Sequence, residues 1–199
     1  MQVESRDYWR CLHCEVTFLD PAQLPDGSVA EQQYRLHRNE VEDAGYRRFL
    51  GRVADPLLAR LEPDQSGLDY GCGPGPALAS ILSEAGHQMS IYDPLFFDNP
   101  EVLERRYDFV TCTEVAEHFH HPFDEFALLD RLLMPGGWLA VMTMFQTDDA
   151  AFAKWHYRRD PTHVMFYREA TFQAIARLRN WHCEIPCANV VLLKKAGSC

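Results

Sequence analysis

The 199-residue sequence predicts an α/β protein, a largely parallel sheet with helices on both faces. Three observations carry this prediction. From residue 66 to the C-terminus, short apolar runs alternate with longer helical patterns. One such run ends in Leu68-Asp69-Tyr70-Gly71-Cys72-Gly73-Pro74-Gly75 and passes straight into an apolar helical stretch, Ala77 to Ala85. The last two runs are separated only by Pro186, Cys187 and Ala188, too few residues for a crossover, so they form an antiparallel hairpin.

In chain order, residues 1–26 are aromatic and turn-rich, and they close on Pro21, Pro25 and Asp26-Gly27. Residues 28–62 read as helical. Ser28 caps a first helix to about His37, and a second runs from about Val41 to Leu61 with a break near Asp55-Pro56. Strands follow at 67–70, 89–92, 108–113, 137–144, 182–185 and 189–194, with helices at 76–86, 123–134, 148–158 and 169–179. No repeat or low-complexity segment intervenes. The length suits one domain with a small appendage and a sizeable core.

The net charge of −10 disfavours a nucleic-acid backbone as partner, and the pairs Arg105-Arg106 and Arg158-Arg159 are too short to make a basic patch. No stretch approaches the roughly 18 apolar residues of a membrane span. The start, Met1-Gln2-Val3-Glu4-Ser5-Arg6, holds no apolar signal region. A cytoplasmic protein is expected, with its seven cysteines reduced.

The glycine run carries the chemistry. Gly71, Gly73 and Gly75 let the backbone turn sharply and approach a ligand with no Cβ in the way, and the following helix offers unpaired N–H groups. A second acid, Asp93, closes the next strand 18 residues after Gly75. Such a strand–loop–helix holds a nucleoside-bearing cofactor. Two details disfavour a dinucleotide. The last small position of a G-x-G-x-x-G/A fingerprint is here Pro76, rigid and without an N–H. Asp69 would also repel a pyrophosphate, whereas it suits the ammonium or sulfonium of S-adenosylmethionine. Asp93 can accept from both ribose hydroxyls.

These residues resemble the class I S-adenosylmethionine-dependent methyltransferase family. Leu68–Ala79 resembles its first motif and Ile91-Tyr92-Asp93 its second. Tyr107-Asp108-Phe109-Val110-Thr111-Cys112-Thr113-Glu114-Val115-Ala116-Glu117-His118 and Leu132-Leu133-Met134-Pro135-Gly136-Gly137-Trp138-Leu139 resemble the two that follow. The resemblance implies a Rossmann-like, seven-stranded sheet whose last strand is antiparallel, and one bound S-adenosylmethionine leaving as S-adenosylhomocysteine. It places Asp69, Gly71, Gly73 and Gly75 at the methionine end; Cys72, between them, is a cofactor-contact candidate, although its neighbours also explain it as a small core-facing residue. Asp93 takes the ribose, Thr113 and Glu114 lie under the cofactor, and His118 sits at the substrate edge. Tyr46, on the helical cover, presses on the methionine chain. One departure stands out. Only 13 residues separate Asp93 from Tyr107, with Pro94 and Pro100 among them, so the third strand is very short or absent. The adenine is then expected to stack on Pro94, Leu95 or Phe96.

The flanks resemble a narrower bacterial branch, through Tyr8-Trp9-Arg10-Cys11-x-x-Cys14, Tyr34-x-x-His37-x-Asn39, Asp43-x-Gly45-Tyr46 and Trp155-His156-Tyr157-x-x-Asp160-Pro161-Thr162-His163. That likeness sets residues 1–27 apart as a residual zinc-ribbon-like hairpin and makes 28–199 the catalytic domain. Cys11-x-x-Cys14 is one knuckle of a zinc ribbon, and tetrahedral zinc needs two further ligands. Cys183 and Cys187 are poor substitutes, so a pair of small thiols is preferred. His118, His120 and His121 crowd one loop without an evident acidic or thiol partner, and no metal site is predicted.

The stretch Met142–Phe166 interleaves aromatics with His156, Asp160 and His163. In this fold it covers the carboxyl ends of the strands, where ligands bind. Phe152, Trp155 and His156 also have the spacing of a packed helix. Trp155 and Tyr157 are the substrate-contact candidates, and His163, His156 and His118, in that order, are the candidate bases. Tyr34, His37 and Asn39 are weaker candidates. The expected function is methyl transfer to a small-molecule acceptor. The alternatives are a non-catalytic S-adenosylmethionine-binding partner module and, less favoured, a nicotinamide oxidoreductase.

Overall fold

The computed structural model describes residues 1–27 and 40–197. The helix predicted from Ser28 to His37, and Tyr34, His37 and Asn39, lie outside the described residues. The N-terminal strands are β1 (Gln2–Val3), β2 (Arg6–Arg10) and β3 (Thr17–Leu19). Helix α1 (Ala44–Leu58) follows, then β4 (Ser66–Tyr70), α2 (Ala77–Glu84), β5 (Gln88–Tyr92) and β6 (Tyr107–Thr113). Next come α3 (Pro122–Leu132), β7 (Leu133–Met142), α4 (Asp149–Phe152) and β8 (Met165–Phe166). Helix α5 (Glu169–Arg179) leads into β9 (His182–Cys187) and β10 (Val190–Lys194).

The main sheet has the order β5-β4-β6-β7-β10-β9. Strands β5, β4, β6 and β7 pair in parallel, and β10 runs antiparallel to both β7 and β9. The expected count of seven strands is therefore corrected to six among the described residues. Between Asp93 and Tyr107 the chain makes one isolated bridge, Asp93 to Phe97, and then a 3₁₀ turn, Pro100–Glu104. Asn99 caps that turn by accepting from the Glu101 N–H at 3.2 Å, and Pro100 opens it without a donor for a ladder.

Helices cover both faces because neighbouring residues of a strand point to opposite sides. Phe109, Trp138, Ala140 and Leu192 pack with Leu50, Val53 and Leu57 of α1 and Leu78 and Leu82 of α2. Their neighbours Val110, Leu139, Val141 and Leu193 pack with Phe126 and Leu129 of α3 and Phe172 of α5. Asp43 caps α1 by accepting from the Tyr46 N–H at 2.6 Å. Helix α1 is three residues shorter at each end than predicted, and it runs through Pro56 without the expected break.

The long helix predicted at 148–158 is also corrected. Helix α4 spans only Asp149–Phe152, Trp155 is extended (φ −68, ψ 124), and a 3₁₀ turn covers His156–Arg159. Tertiary packing explains the periodic aromatics: Phe152 meets Tyr8 and Phe166 at ring separations of 5.0 and 5.1 Å. Those rings anchor a small second sheet, β1-β2-β3-β8, in which Thr17 pairs with Phe166. Val3, Tyr8, Val16 and Leu19 thus join the same core as α3 and α5. Cys11 and Cys14 sit in the connection between β2 and β3 and are not disulfide-bonded.

Candidate active site

A cleft of about 460 Å³ opens at the carboxyl ends of β4, β5 and β6, the place where parallel α/β sheets bind ligands. Asp69 lies in β4, Asp93 follows β5, and Thr113 and Glu114 end β6. Tyr46 and Phe49 of α1 close one side.

The glycine loop is built by local geometry. Gly71 has φ +75, and a Cβ there would lie 2.4 Å from Val115 Cγ2, so no side chain fits. Its N–H and that of Cys72 donate to the Tyr92 carbonyl at 2.8 and 3.1 Å, binding the loop to the end of β5. Asp93 completes the link. Its Oδ2 accepts from the Gly73 N–H at 3.0 Å, and its Oδ1 accepts from Leu95 and Phe96 at 2.9 and 3.2 Å. Asp69 is only 4% exposed, and Thr111 donates to it at 2.7 Å. Burial lifts its carboxyl to about 6, with the Asp93 charge adding to the rise and the Thr111 hydroxyl opposing it. A cationic group in the cleft would draw Asp69 back to its ionised form. Burial, followed by Asp69, pushes the Tyr46 hydroxyl up to about 12. Burial and the same two aspartates raise the Cys72 thiol well above its usual range.

The other end of the cleft is assembled from distant segments. Glu114 sits at φ 53, in the left-handed region that disfavours side chains. Glu117 is 0% exposed; its Oε2 accepts from Thr143 at 2.9 Å, and its Oε1 accepts no hydrogen bond. Burial raises both carboxyls, and the Glu117 charge raises Glu114 further. His118 Nδ1 lies 3.0 Å from the Thr162 carbonyl, and His163 Nδ1 lies 2.7 Å from the Tyr157 carbonyl. A carbonyl only accepts, so each of these Nδ1 atoms carries a proton. His163 is 8% exposed, and burial lowers its pKa. The two rings stand edge to face at 4.8 Å. One ligand atom from each of Glu117, His118 and His163 lies within 4.8 Å of the others.

Of the predicted site residues, Tyr46, Asp69, Gly71, Cys72, Gly73, Gly75, Asp93, Pro94, Thr113, Glu114, His118 and His163 line this cleft. His156 is exposed and is not brought to it, and His120 and His121 are exposed as well. Trp155 packs on the core beside Phe166 at 5.9 Å. Tyr157 is buried behind the cleft, its hydroxyl 3.1 Å from Thr143 Oγ1 and 3.5 Å from Glu114 Oε2. Sequence reasoning missed Glu117 and Asp160, which line the cleft too. The usable signal for Glu117 was its place beside His118 and three residues after Glu114.

The parallel sheet, the glycine loop between two acid-ended strands and the cleft at their carboxyl ends define an α/β fold of the nucleoside-cofactor-binding class. Within that class, the chain belongs to the methyltransferase-domain family, whose sequence profile matches residues 42–184. It is 28% identical over 126 residues to the ubiquinone biosynthesis O-methyltransferase of Klebsiella pneumoniae, a match covering 63% of this chain and 50% of that protein. The chain thus spans about half the length of the curated relatives it matches. The Burkholderia thailandensis 1,6-didemethyltoxoflavin-N1-methyltransferase, solved with 1,6-didemethyltoxoflavin and S-adenosylhomocysteine, shares the fold. It has a TM-score of 0.62 and 17% identity, covering 94% of this chain and 98% of its own. The magnesium protoporphyrin IX methyltransferase of Synechocystis is similar at a TM-score of 0.59 and 15% identity, covering 85% and 95%. Among the described residues, no helix is long and apolar enough to cross a membrane.

Proposed function

We propose that this chain is an S-adenosylmethionine-dependent methyltransferase acting on a small-molecule acceptor. One observation carries the reading: Asp69, in β4, and Asp93, just after the parallel neighbour β5, open on one cleft across the glycine loop. The fold neighbours are named for methylating 1,6-didemethyltoxoflavin and a magnesium porphyrin, which supports a small acceptor.

When bound, the cofactor supplies a methyl group on positively charged sulfur. The chain's own work is binding, alignment and the removal of water. Asp69 faces the cationic amino-acid end, and Tyr46 presses on the same part. Asp93 takes the ribose hydroxyls, and Pro94, Leu95 and Phe96 offer the adenine a platform in place of the missing third strand. Thr113 and Glu114 form the floor beneath the cofactor. His163 and His118 stand at the acceptor end, where burial favours the neutral ring of His163, suited to taking a proton from a hydroxyl or an ammonium acceptor.

Thermal unfolding tests the reading. S-adenosylhomocysteine at a hundred times its Kd should add about 2.7 kcal/mol, roughly 5–10 °C for a chain of this size, and NADH should add nothing. Absence of the first shift, or presence of the second, overturns the proposal. A shift without methyl transfer to any of a broad acceptor set returns the chain to the binding-module alternative.

A further inference from the structure

We propose that Glu114, Tyr157, Thr143 and Glu117 form one chain that stores an exchangeable proton. The chain gives it up when a cationic cofactor binds and takes one from the acceptor during methyl transfer. The inference rests on the methyltransferase reading and deepens it. Its basis is a shortage of hydrogens. Glu114 Oε2 lies 3.5 Å from the Tyr157 hydroxyl, which lies 3.1 Å from Thr143 Oγ1. Thr143 Oγ1 in turn lies 2.9 Å from Glu117 Oε2. Each hydroxyl supplies one hydrogen, and an ionised carboxylate supplies none. Three contacts among these four oxygens need a third hydrogen, so one of the two carboxyls has to carry it.

The surroundings favour the same proton. Glu117 is 0% exposed and its Oε1 accepts no hydrogen bond, so an ionic charge there is poorly satisfied. Glu114 lines the cleft, pinned in its left-handed conformation by its N–H, which donates to the Met142 carbonyl at 2.8 Å. Burial lifts its carboxyl to about 8, the Glu117 charge adding to the rise and the Tyr157 hydroxyl and Arg52 opposing it. Burial raises Glu117 too, against the opposing effect of His163 and the two hydroxyls. His118 Nε2 stands 3.9 Å from Glu117 Oε1, and Tyr46 feels the Glu114 charge after burial and Asp69. Cys112 and Tyr167 feel the Glu117 charge, and burial keeps both neutral.

A positive charge beside Glu114 favours its ionised form. Binding of the sulfonium form therefore drives the proton off the pair, whereas the uncharged thioether of S-adenosylhomocysteine leaves it in place. Methyl transfer breaks the sulfur–methyl bond, leaves its electron pair on sulfur and joins the methyl carbon to an acceptor lone pair. An acceptor bearing O–H or N–H then loses that proton. The carboxylate pair can hold it as soon as the charge on sulfur is gone, so it is a base only while the cofactor is charged.

Calorimetry of the full chain in buffers of different ionisation enthalpy counts the protons released on binding. Both ligands carry the same amino-acid end, so effects at Asp69 cancel in the comparison. At pH 7.5, S-adenosylmethionine should release about 0.7 proton more than S-adenosylhomocysteine, and at pH 9 only about 0.1 more. This measurement needs no variant. The difference should vanish in Glu114→Gln and in Glu117→Gln and persist in His163→Gln. Equal proton counts for the two ligands in the wild type would overturn the proposal. So would a difference that survives in Glu114→Gln or is lost in His163→Gln. If both ligands bind with equal counts, only this inference falls; if neither binds, the methyltransferase reading falls with it.

Discussion

The two ends of one cleft are built in opposite ways. At the glycine end, every polar contact described joins residues close along the chain or on adjacent strands: Gly71 to Tyr92, Gly73 to Asp93, Asp69 to Thr111. At the other end, Glu117 and His118 depend on a segment some 40 residues later, through Val164, Thr162 and His163. The first end is made mainly by backbone geometry, which a short motif can specify. The second is made by side chains from segments distant in sequence, next to the place where β8 pairs with β3. Cofactor recognition can therefore persist while acceptor chemistry changes with the packing of one loop.

Substitutions can break this division. The largest effect is expected for Gly71→Ala, which adds a left-handed residue with a side chain and a clash with Val115. Unfolding should cost about 3 kcal/mol less than in the wild type. A second change, Val115→Ala, should recover the steric share and leave the backbone share, as denaturant titration would show. Full recovery would mean that the backbone conformation at Gly71 costs nothing.

Asp69→Asn comes next. Affinity for S-adenosylhomocysteine should fall roughly 100-fold, the loss of one charge-assisted contact. The free protein should respond in the opposite sense. The native carboxyl titrates near 6 against a reference of 3.8, so the native state binds its proton more tightly than the unfolded chain. The contribution of Asp69 to stability is then complete below about pH 4 and is lost as pH rises through about 6, by on the order of 3 kcal/mol. Chemical denaturation across that range should show the decline in the wild type and lack this component in Asp69→Asn. Equal slopes would remove Asp69 as its source.

Thr143→Val probes the assembled end. It removes the hydroxyl that meets Glu117 Oε2 and the Tyr157 hydroxyl and should cost about 2 kcal/mol of stability, with cofactor affinity unchanged by calorimetry. A matching loss of cofactor affinity would show that the two ends are coupled. The smallest effect is expected at Phe96→Ala, about tenfold in cofactor affinity if the ring stacks on the adenine. An unchanged Kd would remove the proposed platform.

Particular residues show where sequence reading ended. Strand β4 was placed within one residue because an alternating apolar run meets glycine there, and β10 because a turn of three residues allows only a hairpin. Residues 148–158 were misread because Phe152, Trp155 and His156 recur at helical spacing, although Tyr8 and Phe166 supply the packing that explains them. The choice between His156 and His163 was open for the same reason. Both lie in one aromatic-rich stretch, and only the fold buries His163 and exposes His156.

By itself the sequence determined the alternation of strands and helices, the sharp turn after β4 and the two acids beside it. Each follows from local sterics or from a period of two or 3.6 residues. Tertiary structure alone decided that the main sheet has six strands among the described residues, that Tyr157 lies behind the cleft, and that Glu117 meets two imidazoles. Those outcomes depend on which buried polar atoms find partners across the molecule, and no local pattern encodes that.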